Sequence, residues 1–338
     1  MKTRIRNFTE EELKKKFIAL GYPVYRAGQV FKWVQGKNVS SFSEMTNLPK
    51  TIIEKLDEKF DINKLVCADR KKGKDGTQKF LWELAKGEYV ESVLIRDRKR
   101  RTICLSTQAG CKFKCPFCAS GKGGFKRDLD VSEIVGQVME IQEITKEKAT
   151  NIVFMGMGEP LDNYDNLTNA IRILNDKNGQ DLGGRKITVS TCGVVPGILK
   201  LMKLGIQVEL SVSLHATNDK LRDELVPVNK KYPLAELLSA CTKYFKATSR
   251  VITLEYALIK DKNDSVKDAD AVSRIAHRIK AKVNLIECNS YKYYSPTPGR
   301  VQRFKERIMA QGSTVMLRRS RGSDILAACG QLAGGKSS

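Results

Sequence analysis

No apolar run in the chain approaches the roughly 18 consecutive residues that a membrane-spanning helix needs. The opening stretch from Met1 to Phe17 is charged where a secretory leader would carry its apolar core. These two gaps exclude a helical membrane protein and a classical leader, so a cytoplasmic protein with no membrane partner is expected. Histidine is nearly missing: His215 and His277 are the only two, which rules out zinc motifs built on histidine pairs. Internal repeats and low-complexity tracts are lacking, and nothing signals obligate oligomerisation, so a monomer is expected. Acidic residues are also short, with 38 Asp and Glu against 60 Lys and Arg, a net charge of +22.

Part of that excess is clustered. Arg70-Lys71-Lys72-Gly73-Lys74, Arg96-Asp97-Arg98-Lys99-Arg100-Arg101 and Arg318-Arg319-Ser320-Arg321 are short basic blocks, and such charge draws a protein to polyanions in a salt-dependent way. Nucleic acid is the expected partner class. The nine cysteines are an odd number in a chain with no export signal, which argues against a disulfide scaffold and for metal binding or catalysis.

The first sixty or so residues read as helices. Thr9 with Glu12 forms a capping box ahead of Leu13, Phe17 and Leu20, and Gly21-Tyr22-Pro23 ends that helix. A second helix starts near Tyr25, and a third runs from about Pro49 to Phe60. From about residue 64 the period changes, and Phe80–Leu84 with Tyr89–Ile95 suggests a β-hairpin. Strands are then expected at Thr102–Ser106, Asn151–Met155, Lys186–Thr191, Val208–Leu214, Arg250–Ile259 and Val283–Cys288, with a further one at Thr314–Arg318. Helical patterns separate them; Asp130 and Glu133 cap one of these. The alternation defines an α/β chain with a parallel sheet, barrel-like or doubly wound, whose active residues sit at the C-terminal strand ends. The expected divisions are 1–63 for the helical accessory part, 64–100 for a β extension, 101–322 for the α/β core and 323–338 for a tail ending in a frayed Gly334–Ser338.

Cys111, Cys115 and Cys118 spell CxxxCxxC just after the first core strand. Zinc sites usually recruit two separated ligand pairs, and no second pair exists here. Three thiolates can instead hold three irons of a cubane cluster and leave the fourth open to an exogenous ligand. Buried structural cysteines, or a three-thiolate zinc site in a non-enzymatic RNA-binding protein, remain the competing readings. Gly156-Met157-Gly158-Glu159-Pro160 follows the second core strand, and Ser190-Thr191-Cys192-Gly193 and Ser213-Leu214-His215-Ala216 end the next two, on the expected catalytic rim.

With Cys104, the stretches Gly156–Asn166 (GMGEPLDNYDN), Ser190–Pro196 (STCGVVP) and Arg321–Leu332 (RGSDILAACGQL) resemble the RlmN/Cfr family of radical S-adenosylmethionine (SAM) RNA methyltransferases. The likeness runs from about Tyr25 to Leu332. It implies a partial (β/α)6 radical SAM barrel with an N-terminal helical accessory domain and a β-hairpin extension. It also implies a [4Fe-4S] cluster on Cys111, Cys115 and Cys118, and SAM contacts from Gly158, Glu159, Ser190, Ser213, Leu214, His215 and Asn289.

The implied chemistry consumes two SAM per turnover. Cys329 is methylated and carries the methylene to an electrophilic adenine carbon, Glu91 accepts the ring proton, and Cys104 resolves the adduct, leaving a disulfide with Cys329. The implied partners are 23S rRNA, tRNA and a flavodoxin-type electron donor. The Glu159-Pro160-Leu161 and Asn163–Asn166 residues look like the C2-methylating RlmN branch, with C8 methylation of the Cfr type as the alternative. One departure stands out: Leu326 occupies a tail position where the family carries an acidic residue.

Overall fold

The computed structural model describes residues 2–290 and 292–335; Lys336–Ser338, the end of the expected frayed tail, lie outside them. Strand β1 (Thr3–Arg4) precedes α1 (Glu10–Ala19), whose Thr9 and Glu12 make the reciprocal capping box. Helix α2 (Tyr25–Phe31) runs on into a π-helical turn, Lys32–Gly36, that sequence periodicity does not reveal. Helix α3 (Lys50–Lys59) leads to β2 (Phe60–Asp61), which pairs in parallel with β1 and ties the two ends of the segment together. Leu13, Phe17, Val30, Phe31, Ile52 and Leu56 are buried between these helices.

Strands β3 (Val66–Lys72), β4 (Gln78–Glu83), β5 (Tyr89–Asp97) and β6 (Arg100–Cys104) form an antiparallel meander. The expected hairpin is β4 with β5. Strand β3 is additional: it is a charged edge strand, exposed along most of its length, and so lacks the alternation by which strands are read. A short ribbon, β7 (Gln108–Gly110) against β8 (Phe125–Asp128), brackets the cysteine loop and the single-turn α4 (Ala119–Lys122).

Thereafter strand and helix alternate. The elements are α5 (Val131–Thr145), β9 (Asn151–Phe154), α6 (Tyr164–Asn175), β10 (Ile187–Thr191), α7 (Val195–Leu201) and β11 (Glu209–Ser213). They continue with α8 (Asp219–Leu225), α9 (Leu234–Thr248), β12 (Ile252–Leu258), α10 (Val266–Arg278), β13 (Ala281–Glu287), α11 (Pro298–Ala310) and β14 (Val315–Arg318). The main sheet has ten strands in the order β14-β13-β12-β11-β10-β9-β6-β5-β4-β3. From β6 to β14 every neighbouring pair is parallel. Strand β6 is therefore the junction between the meander and the α/β core, and its last residue, Cys104, stands on the rim where the parallel strands end.

The N-terminal helices are fastened to that core through α5. Arg4 reaches Asp130 at 2.8 Å and Glu133 at 3.3 Å, and Asn7 accepts the Ser132 N–H. On its other side α5 buries Val131, Ile134, Val135, Val138 and Ile141. Each such side chain contributes about 1.5–3 kcal/mol on transfer from water, so the helix is anchored by apolar burial and only oriented by the ion pairs.

Candidate active site

Close backbone approach explains Gly110, Gly156 and Gly158, which surround the cysteine loop. Gly110 has φ +76°, and a Cβ there would lie 1.7 Å from the Gly124 carbonyl oxygen. Only glycine lets β7 cross β8 at this point, and the Cys111 N–H then donates to Gly124 O. A Cβ on Gly156 would meet Leu105 O at 2.6 Å, and one on Gly158 (φ +94°) would meet the Gln108 side chain at 2.5 Å. The Gly156–Pro160 turn is thus pressed onto the segment joining β6 to β7. Gln108 completes the joint by accepting the Glu159 N–H at 2.8 Å and donating to Asp128 and Asp162.

The result is a cavity enclosing about 1060 Å³, part of it open to solvent. Its wall takes Cys111, Cys115 and Cys118 from the loop, and Gly158 and Glu159 from beyond β9. Ser190, Ser213, His215, Asn289 and Arg318 come from the ends of β10, β11, β13 and β14. Of the SAM-contact candidates only Leu214 does not line it; its side chain is fully buried in the core, and its carbonyl accepts from Arg222.

Glu159 is buried, and its carboxylate accepts the Leu161 N–H at 3.0 Å and the Cys192 N–H at 2.7 Å, joining the ends of β9 and β10. Burial raises its pKa, while those amide donors hold it down. His215 has φ +54° and takes the Ala257 N–H on Nδ1 at 3.0 Å, which leaves Nε2 as the protonated nitrogen. Its ring meets Phe117 edge-on at 5.0 Å. Burial, and then the nearby Arg222, push its pKa down to about 3, so it is a neutral donor at pH 7.

Two residues that sequence reading missed hold this rim. Arg222 is completely buried and donates to the carbonyls of Leu214, Ser213 and Cys192 and to Asn229. Arg318 borders Cys329, Glu255 and Cys104, whose negative forms raise its pKa, Cys329 most strongly. In sequence Arg318 is one member of a basic block; only the inward turn at the end of β14 separates it from the exposed Arg319.

A second cavity adjoins the first and is lined by both Cys104 and Cys329, with Cys118, Met155, Arg318 and Asn289. Both sulfurs are free thiols. Cys329 is brought there by a tail fastened on both sides. Asp75 accepts the Gly322 N–H, Asp324 accepts the Lys74 N–H, and Lys79 donates to Leu326 O. Beyond Cys329, Ala119 donates to Gly330 O at 2.7 Å and Ser120 to Leu332 O at 2.7 Å. Glu91 accepts the N–H groups of Ala333 and Gly334. It also pairs with Lys79 at 2.8 Å, is buried, and lines neither cavity. Leu326 is exposed at φ +53°, a conformation that an acidic Asp adopts more readily than a leucine.

The three loop thiols suit an iron–sulfur cluster. Burial pushes Cys111 up to about 12 and raises Cys115 and Cys118; neighbouring loop thiolates add to the rise at Cys111 and Cys115. Such a trio becomes anionic only beside bound positive charge, which iron supplies. Among the described residues no three His, Cys, Asp or Glu side chains converge on one ion; a cubane offers three separate irons, around which thiolates stand apart.

Residues 105–271 match the radical SAM superfamily model, and with the strand-end cavity above the cysteine loop this makes the chain a radical SAM protein. Residues 3–62 match the model described as the ribosomal RNA large subunit methyltransferase N-terminal domain. A probable dual-specificity RNA methyltransferase RlmN from Geobacillus thermodenitrificans is 42% identical, covering 97% of this chain and 92% of the relative. A namesake from Thermotoga sp. is 45% identical, covering 95% of each. The crystal structure of a radical SAM methyltransferase from Sphaerobacter thermophilus superposes with a TM-score of 0.91 at 39% identity, covering 98% of this chain and 100% of that one. The chain belongs to the RlmN family of radical SAM RNA methyltransferases, whose members use a [4Fe-4S] cluster and two SAM molecules per cycle. No helix among the described residues is long and apolar enough to cross a membrane.

Proposed function

We propose that the chain methylates C2 of an adenine in 23S rRNA at the peptidyl-transferase centre, and the adenosine 3′ to the anticodon of tRNA, using Cys329 as the methyl carrier. The observation that carries this reading is the pair of thiols, Cys104 and Cys329, sharing a cavity next to the one bordered by Cys111, Cys115 and Cys118. A ring carbon between two nitrogens is electrophilic and does not attack a methyl sulfonium, so the one-carbon unit must travel on a protein sulfur. The C2 choice over C8 rests on the resemblance of Glu159-Pro160-Leu161 and Asn163–Asn166 to the RlmN branch, and the dual specificity in the relatives' names favours more than one RNA substrate.

Cys111, Cys115 and Cys118 hold the cluster in this account, and the bound cluster supplies the electron that activates SAM. Gly158, Glu159, Ser190, Ser213, His215 and Asn289 hold SAM, while Leu214, whose N–H donates to Glu255 O and whose carbonyl accepts from Arg222, only positions its neighbours Ser213 and His215. Neutral His215 offers an N–H without adding charge. Cys329 forms a C–S bond to the methyl of a first SAM, releasing S-adenosylhomocysteine. After transfer of the carbon to the base, Cys104 attacks the Cys329 sulfur, the carbon–sulfur bond breaks, and a disulfide remains for later reduction. Arg318 stabilises either thiolate electrostatically. Glu91 has two duties in sequence: while paired with Lys79 it anchors the tail, and it accepts the ring proton once the tail lifts.

The test is anaerobic reconstitution with iron and sulfide, incubation with SAM, reductant and unmodified 23S rRNA or tRNA, and mass spectrometry of the nucleosides. The expected product is 2-methyladenosine from both RNAs. 8-Methyladenosine would overturn the C2 assignment, and 5′-deoxyadenosine without methylated base would overturn the RNA substrate.

A further inference from the structure

Between β13 and α11 the chain reads Asn289-Ser290-Tyr291-Lys292-Tyr293-Tyr294-Ser295-Pro296-Thr297. Three of the chain's ten tyrosines fall within four residues here, in a loop where polar turn residues would suffice. The loop leaves the C-terminal end of β13, on the rim that carries the cavities, and Asn289 at its start lines both of them. Its ends are drawn together: Cys288 N–H donates to Ser295 Oγ at 2.7 Å, and that hydroxyl donates to Cys288 O at 3.3 Å. Lys260, just beyond β12, donates its N–H to Tyr294 O at 2.9 Å. The backbone at Tyr294 is thus fixed to the neighbouring strand's loop.

On that fixed backbone two adjacent tyrosines do opposite things. Tyr293 is buried; its hydroxyl donates to Glu224 at 3.3 Å, and Lys262 and Lys292 lie over its ring, each 5.5 Å from the centroid. Tyr294 is 81% exposed, the most exposed large hydrophobic side chain among the described residues. Burial inside the chain does not call for an aromatic ring at that position, and the locked Tyr293 keeps the ring of Tyr294 outside. The surroundings are basic. Lys230, Lys231, Lys260 and Lys292 are exposed on the loops that follow α8, β12 and β13. Across Asn289, whose Nδ2 donates to Ser320 Oγ at 2.7 Å, Arg319 and Arg321 stand in the wall of the two-thiol cavity. A bare, rigidly mounted ring beside cationic side chains is how proteins hold unpaired nucleotides: the ring stacks on a base and the charges meet the phosphates.

We propose that Tyr294 is a stacking platform for an unpaired RNA base next to the target adenine, with Lys260 and Lys292 beside the adjoining phosphates; the proposal rests on the RNA methyltransferase reading above. An adenine that reaches the thiols of Cys104 and Cys329 has to leave its stack, and its neighbour in the strand then loses one stacked face. The ring of Tyr294 replaces that face. Stacking on tyrosine tolerates any base, so one platform serves RNAs whose sequences differ around the target.

The experiment measures binding of reconstituted holoenzyme to an unmodified 23S rRNA fragment carrying the target loop, in an anaerobic filter assay. Tyr294→Ala, which touches no buried contact, should weaken binding roughly 5- to 150-fold, the loss that one stacked base brings. That ratio should be nearly the same at low and raised salt, while Tyr294→Trp stays within about threefold of wild type. The combined Lys260→Glu, Lys292→Glu variant should weaken binding at low salt, with the difference shrinking as salt rises. Fragments with 5-iodouridine placed beside the target adenine should crosslink to the Tyr294 peptide under ultraviolet light, as read by mass spectrometry. Tyr294→Ala binding as tightly as wild type would overturn the platform, and so would an equal loss in Tyr294→Trp or crosslinks that fall only on the Arg319–Arg321 side. A wild type that binds no RNA at all overturns the RNA reading itself, and the platform with it.

Discussion

Replacing Glu91 with glutamine removes one charge at the point where the C-terminal tail is held. Glu91 is 4% exposed, with one carboxylate oxygen 2.8 Å from Lys79 Nζ and the other accepting Ala333 N–H at 2.7 Å and Gly334 N–H at 3.1 Å. Glutamine has a single oxygen, so its NH2 must face either the ammonium or the two amides. Charge-assisted hydrogen bonds contribute roughly 1.5–3 kcal/mol each, and breaking one side of a buried ion pair costs about 3–5 kcal/mol. Beyond the 3-10 turn at Ser323–Ile325 the described tail has no helix or strand of its own and can relieve that cost by undocking, so the penalty appears as local opening and not as global unfolding. An opening made easier by about 2–3 kcal/mol raises amide exchange in the tail by roughly 30- to 150-fold. Hydrogen exchange read by mass spectrometry should show that rise from Ala327 to Gly334, with core strands β9–β13 unchanged. Unaltered tail exchange with a lowered melting temperature would refute the reasoning, because it would place the Glu91–Lys79 pair in the global core.

Gly110→Ala should abolish cluster binding, since its Cβ would sit 1.7 Å from Gly124 O; iron analysis after reconstitution measures this, and full iron loading would refute the packing argument. The release step should depend on pH through Cys104. Burial first, then the nearby Cys329, push this thiol up to about 12, and Arg318 opposes them. Between pH 7 and 9 it is protonated, so its thiolate fraction, and with it the single-turnover release rate, should rise about tenfold per pH unit; a flat profile in rapid-quench assays would assign the attack to another group.

The residues legible in the sequence are those whose chemistry or backbone demands leave a local mark. Cys111, Cys115 and Cys118 show by spacing, Gly156 and Gly158 by the turn they permit, and Ser190, Ser213 and His215 by standing at the ends of apolar strands. Glu91, Cys104 and Cys329 were reached through family resemblance, since a Glu in a hairpin and an Ala-flanked Cys read as ordinary strand and core residues. Lys79, Ser120, Arg222 and Arg318 left no mark because each acts through a partner distant in sequence. Lys79 reaches residue 326, and Ser120 reaches residue 332. Strand β3 was hidden by its exposure, and the π turn after α2 because a single inserted residue barely disturbs helical periodicity.

The central claim is that Cys329 carries the carbon to RNA and Cys104 frees it. Cys104→Ala holoenzyme, incubated with SAM, reductant and unmodified 23S rRNA, then digested with nuclease and protease, tests this by peptide mass spectrometry. The account predicts an adenosine joined through a methylene to the Cys329 peptide, and little free methyladenosine. Free methyladenosine at the wild-type rate, with no modified Cys329 peptide, would contradict it.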